Sequence, residues 1–134
     1  MERKAVNPAI LYDSVQFGFS HAVESTGERL LHLSGQVAWD ANGDLVGPGD
    51  LAAQAAQCFA NLTEVLAQSG ATAANVVRLR TYVVGYSPDK LEILGPAIAA
   101  FYGDVVPAAN TLIGVQALAM PEFLIEIEAT AILG

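Results

Sequence analysis

The chain has 134 residues, 53% of them apolar and only 15% charged, and its 6 basic and 14 acidic side chains give a formal net charge of −8. An ordinary soluble domain is roughly 45–50% apolar and about 25% charged, so these charges are too few to dress a monomer's whole surface. No apolar run approaches the ~20 residues of a spanning helix, which excludes a membrane segment and makes a soluble homo-oligomer the first expectation.

The same composition narrows the chemistry. The length predicts a single domain over residues 1–134. The start, Met1 to Pro8, has no apolar stretch after its charges, so the expected location is the cytoplasm. Cys58 stands alone and His21 and His32 are the only histidines, so neither a disulfide nor a metal centre is expected, and no cofactor. A pI near 4.4 opposes the phosphate backbone of RNA or DNA, which leaves nucleic acid out as a partner.

Along the chain, Asn7-Pro8 and Gly18 break the pattern while Phe17, Phe19 and Val23 read as anchors, predicting a loop and then a short strand over 19–23. Residues 29–35 read as a strand ending in Ser34-Gly35-Gln36, followed by a turn at Asn42-Gly43-Asp44. Asp50 follows Gly47-Pro48-Gly49 as the N-cap of a helix running to about residue 68. Its packing stripe is Leu51, Ala55, Phe59, Leu62, Val65 and Leu66, and Gly70 is the stop. The β-branched stretch 75–84 predicts a strand with Arg78, Arg80 and Tyr82 on one side.

A second helix is predicted over 89–102, with Leu91, Leu94, Ile98 and Phe101 at packing intervals and Pro96 imposing a kink or a late start. Residues 106–109 form a loop, and strands follow over 110–118 and 124–132. In the last strand Leu124, Glu126, Glu128 and Thr130 share one face, and Ile125, Ile127 and Ala129 the other. The order predicts an α+β fold, a mixed β-sheet with two helices on one face. The other face carries Arg78, Arg80, Glu126 and Glu128 among apolar residues, so neighbouring subunits are expected to cover it.

Several motifs then line up in one order: Ser34-Gly35-Gln36, Gln54 and Asn61, Leu66 with Gly70, Val76-Val77-Arg78, and Ile125-Glu126-Ile127-Glu128-Ala129. Across nearly the whole chain they resemble the Rid family of reactive intermediate deaminases, also called the YjgF family. The resemblance implies a fold similar to chorismate mutase of the bacillus type, built as a homotrimeric barrel with small-molecule clefts between subunits. It also implies hydrolysis of enamines and imines to a 2-oxo acid and ammonia, with Glu126 orienting the attacking water and Ser34, Gly35 and Gln36 lining the cleft. Members with this activity carry an arginine that grips the substrate carboxylate bidentately. That position falls on Asn110 here, and no arginine occurs between Lys90 and Gly134.

Two further family positions differ, a small Cys replaced by Leu112 and a Tyr replaced by Phe19. The expectation is therefore a cleft whose substrate class has changed: an enamine or imine deaminase that is not a typical 2-iminopropanoate deaminase. A non-catalytic metabolite-binding protein is the alternative, and an endoribonuclease is disfavoured by the negative charge. Each candidate residue also has a structural reading. Glu126 could pair with Arg78 or Arg80 across the sheet. Arg80 is either that partner or a relocated carboxylate anchor. His21 either meets the ligand or is a satisfied structural histidine. Asn110 either binds in the cleft or bonds local backbone. Tyr82 and Phe19 read as packing residues, and Cys58 as a small core filler.

Overall fold

The computed structural model describes residues 1–134. Six strands and two helices follow one another as β1 (Glu2–Val6), β2 (Ala22–Thr26), β3 (Arg29–Gln36), α1 (Leu51–Gln68), β4 (Val76–Val84), α2 (Lys90–Tyr102), β5 (Ala109–Val115) and β6 (Ile125–Leu133). The main sheet has the order β3-β6-β4-β5, with β4 and β5 parallel and the other pairs antiparallel, and β1 and β2 form a separate antiparallel ribbon. This is the α+β mixed sheet with two helices read from the sequence. No helix is long and apolar enough to cross a membrane.

Helix α1 starts where Asp50 accepts a hydrogen bond from the Ala53 amide at 3.1 Å, which satisfies one of the helix's free N–H groups. Its buried stripe is Ala55, Cys58, Phe59, Leu62 and Leu66, and it packs on β6, β3 and α2. Val65, predicted in that stripe, is on its exposed margin. Gln54 is also fully buried. Its amide donates to the carbonyls of Gly47 at 3.1 Å and Glu122 at 3.2 Å and accepts from the Leu124 amide at 3.0 Å. Asn61 does similar work on the carbonyls of Val37 and Trp39, both at 3.0 Å.

Strand β6 alternates without a break. Ile125, Ile127, Ala129, Ala131 and Leu133 are buried beneath the helices, and the residues between them are half-buried on the other side. The pairs Arg78↔Thr130, Arg80↔Glu128 and Tyr82↔Glu126 stand on that second face, which neither helix covers.

The structure departs from the sequence expectations at several ends. Strand β1 went unpredicted because Glu2, Arg3 and Lys4 hide its alternation; β2 pairs with it, and the Arg3 guanidinium ties it to the carbonyls of Val76 at 2.8 Å and Val106 at 2.7 Å. The strand expected over 19–23 begins only at Ala22, since the Ser20 amide is bonded to the Ala108 carbonyl and the His21 amide to the Asn7 side chain. Asn75 lies in a short 3-10 turn, closed by a reciprocal pair of bonds with Thr72, rather than in β4. Helix α2 runs through Pro96 instead of starting late, because the carbonyl that Pro96 cannot serve belongs to exposed Glu92 and meets water. Phe17 and Leu91, read as buried, are 57% and 45% exposed.

Candidate functional site

The first cluster forms at a break in the sheet. Leu33 pairs with Ala129 and Gln36 with Ile127, so three steps on β3 oppose two on β6: one extra residue bulges at Ser34-Gly35. The bulge brings the backbone close to Glu126. A Cβ at Gly35 would lie 2.7 Å from Glu126 Cδ and 2.8 Å from its Oε1, so the glycine leaves the room in which that carboxylate rests, and any side chain here would displace it. The Gln36 amide folds back on the Ser34 carbonyl at 3.2 Å, leaving exposed Ser34 with a free hydroxyl.

The two carboxylates of the uncovered face differ. Glu128 accepts the Tyr82 hydroxyl and stands 3.9 Å from the Arg80 guanidinium. That hydrogen bond, with lesser help from burial, holds the Tyr82 phenol above its ordinary pKa. Arg78 reaches Thr111 at 3.5 Å. The arginines are thereby spent on Glu128 and Thr111, and Glu126 has no ion pair and no hydrogen bond within the chain. Tyr82, read as packing, is thus an electrostatic partner. Cys58 lies behind the sheet, its thiol pushed up to about 12 by burial and then by the charge of Glu126, and it is a protonated filler.

The second cluster forms where the N-terminal loop meets β5. Ser20 is bridged to Ala109, its amide bonded to the Ala108 carbonyl at 2.9 Å and its hydroxyl to the Pro107 carbonyl. Asn7 holds this junction: its side-chain oxygen accepts from the His21 amide at 2.8 Å and the Ser14 hydroxyl at 3.3 Å. Phe19 and His21 therefore flank the start of β5, where Asn110 is next. The His21 ring bonds the Tyr12 carbonyl through Nε2 at 2.9 Å, with the Tyr12 ring edge-on at 4.7 Å. A carbonyl only accepts, so Nε2 donates in this bond, and Nδ1 has no partner within the chain. Asn110 accepts the Thr81 hydroxyl at 3.2 Å, and Leu112 packs against the core beside it. Arg80 alternates with Thr81 on β4, so it stands on the opposite face from Asn110.

Within one chain the predicted residues thus fall into two groups. Ser34, Gly35, Gln36 and Glu126 gather on β3 and its neighbour β6. Phe19, His21, Asn110 and Leu112 gather at β5, the other edge of the sheet. Three strand spacings separate β3 from β5, about 14 Å. A groove of about 700 Å³, lined by Phe17, Leu91, Ile98, Tyr102 and Val106 among others, adjoins the turn into β5 and contains none of the predicted residues. Sequence reasoning missed Asn7, Tyr12 and Thr81. Only Thr81 left a signal, a hydroxyl at a position where the alternation of β4 calls for an apolar residue.

The fold is an α+β chain whose mixed sheet carries two separate side-chain clusters. The family described as Endoribonuclease L-PSP matches residues 14–133. A protein of unknown function from Yersinia pestis, YyfB of the conserved Rid family, is 62% identical, with a TM-score of 0.96 over 99% of this chain and 100% of that one. Rv2704 from Mycobacterium tuberculosis, of the YjgF/YER057c/UK114 family, is 30% identical, with a TM-score of 0.65 over 98% and 100%. YyfA of Yersinia pestis, also a Rid protein of unknown function, is 27% identical, with a TM-score of 0.71 over 85% and 86%. No curated protein matches significantly. The chain belongs to the Rid (YjgF, L-PSP) family.

Proposed function

We propose that this protein is a single-domain homotrimer that hydrolyses an enamine or imine metabolite in clefts between subunits, with a substrate other than 2-iminopropanoate. The observation that carries the reading is the unpaired carboxylate of Glu126, seated over Gly35 while its neighbour Glu128 is committed to Tyr82 and Arg80. A free, half-buried carboxylate is what a water-activating base requires. The separation of the two clusters to opposite sheet edges supports a composite site, in which the β3 edge of one subunit meets the β5 edge of the next. The uncovered, charge-bearing sheet face supports the barrel.

In this reading a water donates a proton to Glu126 as its oxygen attacks the imine carbon. The C=N π electrons pass to nitrogen, which takes that proton from Glu126 to give the carbinolamine; Glu126 then carries the carbinolamine hydroxyl proton to nitrogen as the C–N bond breaks, releasing ammonia and a carbonyl product with the carboxylate ionised again. Ser34, Gln36, Phe19, His21, Asn110 and Leu112 hold the substrate. RNA is a poor substrate for a surface of net charge −8. The test is hydrolysis of freshly generated imines, with and without a carboxylate, by wild type and Glu126→Gln. Hydrolysis by wild type and its loss in the variant is the expected result; turnover unaffected by Glu126→Gln overturns it.

The second reading, a metabolite-binding protein using the same cleft, is favoured by the replacement of the family's arginine with Asn110, since binding alone needs only shape and a neutral hydrogen bond. It predicts no turnover by wild type and ligand affinity unchanged by Glu126→Gln.

A further inference from the structure

Asn110 has one hydrogen-bond partner within the chain. Thr81 is 5% exposed, and its hydroxyl makes a single hydrogen bond, to Asn110 Oδ1 at 3.2 Å. An amide oxygen only accepts, so the hydroxyl donates, and a buried hydroxyl gives up its one bond reluctantly. In this arrangement the amide turns its oxygen toward β4 and its nitrogen away. Asn110 Nδ2 has no partner within the chain and the residue is half-buried, so two N–H donors are presented to whatever lies beside β5.

Within the chain no cation is bonded to Asn110. Lys90 is the last basic residue of the sequence, and its ammonium is spent on the carbonyls of Val84 and Gly85. Arg3 is spent on the carbonyls of Val76 and Val106, and Arg78 and Arg80 stand on the opposite face of β4. Leu112 is two residues further along β5, on the same side as Asn110, and is apolar. A carboxylate brought here would lose water without gaining a bonded countercharge from this chain, and an ammonium would meet N–H groups head-on. A neutral carbonyl oxygen meets donors of matching polarity.

We infer that Asn110, turned donor-outward by its bond from Thr81, selects substrates whose group at this position is an uncharged carbonyl, such as the amide, ester or lactam counterpart of an imino acid. Thr81 is a positioning residue in this scheme and touches no ligand. The inference rests on the proposed cleft and sharpens its substrate class; the hydrolysis step is unchanged.

The test uses pyruvamide and pyruvate, stable carbonyl probes that differ in the charge of the terminal group, titrated calorimetrically into the full-length protein. Wild type is expected to prefer pyruvamide by about five- to tenfold. Asn110→Arg reverses the preference, because a charge-assisted fork holds the carboxylate. Thr81→Val frees the amide to flip and erases the preference, and Thr81→Ser restores it, which a merely structural role would not do. Should Thr81→Val fail to fold, Asn110→Arg decides. Equal or tighter binding of pyruvate by wild type overturns the inference and leaves the cleft standing as a ligand site. Binding of neither probe overturns the cleft reading and the inference with it.

Discussion

Gly35 and Glu126 occupy one another's space: the hydrogen that glycine carries in place of a Cβ is what lets the Glu126 carboxylate lie against the β3 bulge. The glycine is needed for room and not for an unusual backbone angle, so its replacement acts directly on the carboxylate. Gly35→Ala is expected to change stability little, because the atoms a Cβ would meet are the movable end of the Glu126 side chain, which swings aside. It is expected to lower kcat by roughly 10²-fold, the scale of a displacement near 1 Å at a reacting group. Thermal unfolding and steady-state hydrolysis of a generated imine check the two halves. Full activity in a folded Gly35→Ala protein would show that the carboxylate position is unimportant.

The two glutamates of the uncovered face are predicted to separate in function. Glu126→Gln removes a proton acceptor and is expected to reduce turnover by about 10²–10⁴-fold with little change in melting temperature. Glu128→Gln releases Tyr82 and Arg80, and its effect is expected on stability first. Equal losses of turnover from both variants would sink the assignment of distinct roles.

Alkaline pH reports on Tyr102. This side chain is 4% exposed, its hydroxyl lies by the Ala108 backbone without a hydrogen bond of ordinary geometry, and burial pushes its phenol up to about 12. The native state keeps the proton while the unfolded chain releases it near 10, so this contribution is intact below pH 10 and is lost as pH rises toward 12. The full loss is on the order of 2–3 kcal/mol. Urea unfolding between pH 9 and 12 is expected to show it, and Tyr102→Phe is expected to flatten the curve and to match or exceed wild type near pH 8. A Tyr102→Phe protein less stable than wild type at pH 8 would point to a hydroxyl contact that the fold lacks.

Cys58 gives a probe of folding. With its thiol fully buried and pushed up to about 12, it is expected to resist a thiol-reactive dye at pH 8 in the native protein and to react within minutes in denaturant. Rapid native labelling would mean that α1 opens from the sheet.

Assembly has its own test. Sedimentation equilibrium is expected to give about three times the 14.0 kDa of one chain. Leu30, 60% exposed on the uncovered face opposite Ile132, is the place to break it, and Leu30→Asp is expected to shift the protein toward monomer. A monomeric wild type would refute the composite cleft.

What could be read from the sequence follows from which interactions are local. Asp50, the stripe from Ala55 to Leu66 and Gly70 write α1 within one stretch of chain, and the structure places that helix over residues 51–68. The alternation of β6 likewise assigns Glu126 and Glu128 to one face without any knowledge of partners. Strand β1 fails this test because its support comes from β2 and from carbonyls more than seventy residues away. The Thr81 to Asn110 bond joins residues 29 apart on two strands whose pairing no short motif encodes. The division of labour between Glu126 and Glu128 was illegible for the same reason, since it depends on which rotamer Tyr82 and Arg80 adopt. Composition did carry one absence, that of the family's arginine.

Gln54 gives the helix layer a hold on the chemistry. Its amide grips the chain at Glu122 and Leu124, the last residues before β6, so the entry of that strand is indexed to α1. Glu126 follows two residues later. The placement of the Glu126 carboxylate is therefore set from the far side of the sheet, by a side chain of the helix layer. In the proposed enzyme, drift on that helix would retune the reaction while every residue of the proposed cleft stays the same.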